Sequence, residues 1–252
     1  MAAGERETGM KINLLETKEF SSQDLKNAYS NLQETVKFGG CKESKSKQKL
    51  IERLRETGKL EEIQEILKNK PLIYPGGLND IEYPLVLGAR DIIIFDPRSD
   101  FDQIRDKIED RYDSDSTKEQ DETSCTLAFN FDFGNSTEEV TLKIIKKYFP
   151  TDTAEDRIRL QENSRDSEYD EPEIISSDKN SKLNLSELSN IGVILEHGCV
   201  GQDLTYSPII LEKLDSNGFI LTDSEKAYSS EILTREKINN EDIGFYSIYR
   251  KE

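Results

Sequence analysis

The chain reads as an α/β protein, with a mostly parallel sheet covered by helices on both faces, an inserted β-hairpin and a helical N-terminal extension. Three observations predict this. Residues 71–96 run strand, glycine turn, helix, strand; residues 126–144 alternate apolar and polar side chains in two runs about a Gly134-Asn135-Ser136 turn; and before Pro71 the apolar residues fall at helical spacing. With 252 residues, 34% of them hydrophobic, the chain is long enough to bury a sizeable core.

The first 70 residues predict helices. Leu25, Ala28, Tyr29, Leu32 and Val36 share one face, with Ser21 or Ser22 available as N-cap. Leu50, Ile51 and Leu54, then Leu60, Ile63, Ile66 and Leu67, mark a second helical region that Gly58 breaks or kinks. The basic stretch from Cys41 to Lys49, with Lys42, Lys45, Lys47 and Lys49, reads as a solvated loop and helix start.

Pro71 turns the chain extended. Leu72-Ile73-Tyr74, the Pro75-Gly76-Gly77 turn, a helix from Asp80 to Gly88 and the run Ile92 to Asp96 make a βαβ unit, which implies parallel neighbours and a right-handed crossover. Phe101, Ile104, Ile108 and Tyr112 continue with a helix. Leu127, Phe129, Phe131 and Phe133, followed by Val140, Leu142 and Ile144, predict the hairpin; with no basic residue among them, the aromatics suit a core face and not a base-stacking platform. Beyond it lie a buried strand from Ile191 to Glu196, a helix from Leu204 to Leu214, a strand from Gly218 to Asp223 and a final strand from Ile243 to Tyr249 suited to a sheet edge, in an antiparallel sense. The stretches 112–124 and 150–190, rich in acids and poor in apolar residues, predict mobile surface loops.

Charge divides the chain at the same place as the pattern. Residues 1–70 hold 14 bases and 12 acids, and residues 71–252 hold 20 and 39, so we expect a helical extension over 1–70 and an α/β domain over 71–252. The net charge of -17 opposes binding to nucleic acid by phosphate attraction and adhesion to an anionic membrane, which leaves a small molecule or a protein as the expected partner. No apolar run approaches the ~18–20 residues of a spanning helix. The opening MAAGERETGM has no signal-peptide pattern, so a cytoplasmic location is the default expectation. Cys41, Cys125 and Cys199 lack paired spacing and read as free thiols, and no metal site is expected.

In an open α/β sheet, ligands bind beyond the carboxyl ends of the strands, which makes Tyr74 to Asp80, Asp96, Glu196 to Cys199 and Asp223 the positions to weigh. Gly76 and Gly77 let the backbone bend beside a ligand, or serve only as a tight turn. Asp96 ends the second strand 20 residues after Gly76, where an acid accepts from both ribose hydroxyls; alternatively it caps the next helix near Pro97. Asp80 at the helix start repels a pyrophosphate and suits a cationic ligand. There is no complete G-x-G-x-x-G and no G-x-x-x-x-G-K-[ST].

These residues resemble the class I S-adenosylmethionine-dependent methyltransferase family, which has a Rossmann-like sheet. The resemblance covers residues 71 to about 98 and 191 to 250, through LIYPGGLNDIEYPLVLGARDIIIFDP, IGVILEHG and LEKLDSNGFILTDS. It implies S-adenosylmethionine as cofactor, ribose binding by Asp96 and placement of the methionine part beside Gly76 and Gly77. Tyr74 stands where the family has an acid, Leu78 and Asp80 replace later glycines, and Asp80 offers a substitute charge. The cofactor-binding set is thus Tyr74, Pro75, Gly76, Gly77, Asp80 and Asp96. His197, the only histidine, is the candidate proton acceptor, with Glu196 beside it. The expected function is a methyltransferase acting on a small molecule or protein; a non-catalytic binding or regulatory descendant and an NAD-dependent oxidoreductase are the alternatives.

Overall fold

Apolar strand residues flanked by amphipathic helices assemble here around one large sheet. The computed structural model describes residues 23–39, 42–75, 81–96, 100–112, 117–146, 188, 190–196, 208–222, 233–236 and 247–251. Among them the helices are α1 (Gln23–Gly39), α2 (Lys42–Glu56), α3 (Lys59–Leu67), α4 (Glu82–Val86), α5 (Phe101–Tyr112) and α6 (Pro208–Lys213). The strands are β1 (Leu72–Pro75), β2 (Asp91–Phe95), β3 (Thr117–Gln120), β4 (Ser124–Asp132), β5 (Thr137–Ile145), β6 (Ile191–Glu196), β7 (Leu214–Thr222), β8 (Leu233–Glu236) and β9 (Ser247–Lys251).

The strands form a nine-stranded mixed sheet in the order β3-β4-β5-β2-β1-β6-β7-β9-β8. The pairs β5/β2, β2/β1, β1/β6 and β6/β7 are parallel. Antiparallel pairs extend both sides: β3/β4 and β4/β5 at one end, β7/β9 and β9/β8 at the other. The protein is therefore α/β, as the sequence predicts.

Side-chain alternation splits the core into two layers. Leu72, Tyr74, Ile92, Ile94, Leu142, Ile144, Val193 and Phe219 share a cluster with residues of α1 to α5. Ile73, Ile93, Phe95, Ile145, Ile194 and Ile220 share the other with Leu211 of α6. Leu25, Ala28, Tyr29 and Leu32 of α1, Leu50, Ile51 and Leu54 of α2, and Leu60, Ile63 and Leu67 of α3 are buried, as their spacing predicts. The helical extension thus shares its core with the sheet. Gly58 separates α2 from α3 with φ at 72°, a left-handed conformation that glycine adopts without strain. Ser21 and Ser22 lie outside the described residues.

Gly192 sets how closely α3 approaches the sheet. Its N–H donates to the Pro71 carbonyl at 2.9 Å. A Cβ there would lie 2.8 Å from Ile66 Cγ2 and 2.9 Å from Lys70 Cβ, so a larger residue would push α3 off β6.

Several elements differ from expectation. The helix expected from Asp80 is shorter, with α4 starting at Glu82, and Asp80 lies outside the described residues. The cap of α5 is Asp100 and not Asp96: Asp100 Oδ1 accepts from the N–H groups of Asp102 at 3.1 Å and Gln103 at 3.2 Å. Part of the acidic stretch 112–124 is not a loop but strand β3. It has few apolar residues because it is an edge strand whose Lys118, Glu119 and Gln120 are solvent-exposed, a composition that discourages edge-to-edge pairing. Asp121 closes its turn, accepting from the N–H of Thr123 at 2.6 Å and of Ser124 at 2.7 Å, which lowers its pKa below the usual carboxylate range. Of the stretch 150–190, only Leu188 and Asn190 are described. The expected hairpin exists as β4/β5, but it is no appendage, since β5 also pairs in parallel with β2.

Toward the C-terminus, α6 ends at Lys213 and β7 starts directly at Leu214, earlier than the expected Gly218. The residues read as a turn are absorbed as an irregularity between the pairs Ile191↔Leu214 and Val193↔Phe219, with Asn217 at φ 74°. Carbonyls at the end of α6 and the start of β7 are satisfied from β9: Lys251 Nζ donates to those of Leu211 at 2.8 Å, Glu212 at 3.2 Å and Leu214. Strand β9 is antiparallel, as expected, yet it is not an edge, because β8 lies outside it.

Arg90 fastens the β4–β5 turn to the start of β2. Its guanidinium donates to both oxygens of Glu138, with Nη2 to Oε1 at 3.0 Å, and stacks 4.3 Å above the Phe133 ring. Hydrogen bonds from Arg90 and then Ser136 hold the Glu138 carboxyl at about 2, below its usual 4.5. A depressed acid contributes stability that is full above pH ~4.5 and is lost as the pH falls toward about 2. Glu138 is partly exposed, so the contribution is screened: Arg90→Met is expected to cost about 1 kcal/mol at pH 7 and clearly less at pH 3. Urea denaturation at the two pH values reads the difference, and equal losses at both would mean that the ion pair contributes nothing.

Candidate functional site

The carboxyl ends of the parallel strands form one row. Pro75 pairs with Phe95, Phe95 with Ile145, and Glu196 with Thr222. Between β1 and β6 the register sets Ile73 beside Ile194, so Pro75 and Glu196 each follow two residues later on adjacent strands. Chain order reverses at this point, since β1 leads to β2 on one side and has β6 on the other. A doubly wound sheet opens its ligand crevice where the order reverses in this way.

Four of the sequence-predicted residues meet at this end of the sheet. Tyr74 closes the helical layer of β1 and is 1% exposed, its ring edge-on to Tyr83 with centroids 6.2 Å apart. Pro75 ends β1. Asp96 is half-buried just past β2, and its N–H donates to the Ile145 carbonyl at 3.0 Å, which extends the ladder one residue and fixes where its side chain begins. Glu196 ends β6 and is buried, with Thr222 Oγ1 donating to its Oε2 at 2.6 Å. A buried carboxylate held by a hydroxyl at a strand end can accept a proton or oppose a cation. Gly76, Gly77, Asp80, His197, Cys199 and Asp223 lie outside the described residues. Cys125 is a free, buried thiol whose pKa burial pushes up.

Beside β1 stands a residue the sequence reading misplaced. Lys47 is 4% exposed and not solvated; its ammonium lies 5.9 Å from the centroid of the Tyr74 ring and 5.6 Å from that of Tyr83. The signal was the helical spacing of Lys47, Leu50, Ile51 and Leu54, which puts the lysine on the buried face of α2. Each cation–π contact contributes about 0.5–2 kcal/mol. Close by in sequence to Tyr83, Glu82 is also buried and forms an ion pair with Arg111 of α5. The neighbouring Tyr112 stacks on Phe129 at 4.5 Å, and burial pushes its hydroxyl up to about 12, so it stays a neutral phenol.

No known relative decides the matter. No protein-family model, no curated protein and no solved structure matches the chain. Among the described residues, no three His, Cys, Asp or Glu side chains gather as a metal site, and no helix is long and apolar enough to cross a membrane. The reading of function therefore stands on the strand ends themselves.

Proposed function

We propose that the chain binds S-adenosylmethionine and acts as a methyltransferase-like protein on a small molecule or a protein, with a Rossmann-like arrangement of its parallel strands. The observation that carries this is the order of the five parallel strands. Numbered along the chain, they run 3-2-1-4-5, the order of doubly wound sheets that hold a nucleoside at the reversal between strands one and four. Asp96, after strand two, stands where such sheets hold ribose hydroxyls. Glu196, the last residue of strand four, is in this reading the group that receives the acceptor's proton or steadies the cationic sulfonium; His197 follows it in the chain. Methyl transfer needs alignment and a proton acceptor, because the sulfonium already releases a neutral thioether, a good leaving group.

The interposed β9 argues against a nicotinamide cofactor. In the dinucleotide order the sixth strand lies directly against the fifth, whereas here β9 separates β8 from β7. Isothermal titration with S-adenosylhomocysteine tests the proposal. Asp96→Ala is expected to weaken binding about thirtyfold, or about 2 kcal/mol, by removing a charged acceptor from two hydroxyls. No heat at millimolar ligand would overturn the reading, and binding of NADH in its place would restore the oxidoreductase alternative.

One observation favours the non-catalytic descendant: Tyr74, where the family has an acid, is packed into the core against Tyr83. In that case the chain binds the cofactor or its product, yet transfers no labelled methyl group to any acceptor.

A further inference from the structure

We draw no further inference here: the strongest candidate, the buried Glu196 carboxylate that accepts from the Thr222 hydroxyl where β6 and β7 end side by side, belongs to the site already described.

Discussion

Arg111→Ala is expected to lower the free energy of unfolding by about 3–5 kcal/mol, measured by urea denaturation at neutral pH. The reason is an asymmetry within its ion pair. Glu82 has a side chain only 4% exposed, while that of Arg111 is 33% exposed. Removing the arginine strands a carboxylate in the core; removing the carboxylate lets the arginine turn to water. Glu82→Ala should therefore cost less than Arg111→Ala, and Glu82→Leu combined with Arg111→Met should recover most of the loss, because two packed apolar groups need no partner. A loss below about 1 kcal/mol for Arg111→Ala would mean that the pair does not hold α4 to α5.

Phe131→Ala should be about as damaging, about 3–5 kcal/mol. Phe131 is fully buried on β4, edge-on to Tyr112 at 5.9 Å and to Phe133 at 4.9 Å. Its loss leaves a cavity lined by rings too rigid to collapse into it, and two aromatic contacts disappear. Phe133, partly buried beneath Arg90, is the control: Phe133→Ala should cost about 1–2 kcal/mol by the same measurement. Equal losses for the two would show that the ladder is not graded by burial.

What the letters revealed and what they hid follow a physical line. Periodicity reports burial, so the helices before Pro71, the strands at Leu72, Ile92 and Ile191, and the alternating hairpin were all legible. The edge strand β3 carries no apolar alternation because neither of its faces needs a core. Strand β8 is four residues long, too short a run to show a period. Asp100 and Asp96 are both acids near a helix start, and only the positions of the first-turn N–H groups distinguish the cap. Lys47 was read by its charged neighbours instead of by its register with Leu50 and Ile51, and register decides which way a helical side chain points. Tyr74, Pro75, Asp96 and Glu196 could be located because strand ends are where an apolar run stops. That β1 would have β6 as its neighbour was not legible, since pairing between strands so distant in sequence leaves no local trace.

That distant pairing bears on how the protein assembles. Leu72 meets Val193 across about 120 intervening residues, so the two halves of the sheet find one another by closing a long loop of the unfolded chain. Topologies of this kind fold in milliseconds to seconds. The carboxyl ends of β1 and β6 become neighbours only after this docking, and a small molecule lodged between them would slow unfolding of the whole chain rather than speed its collapse.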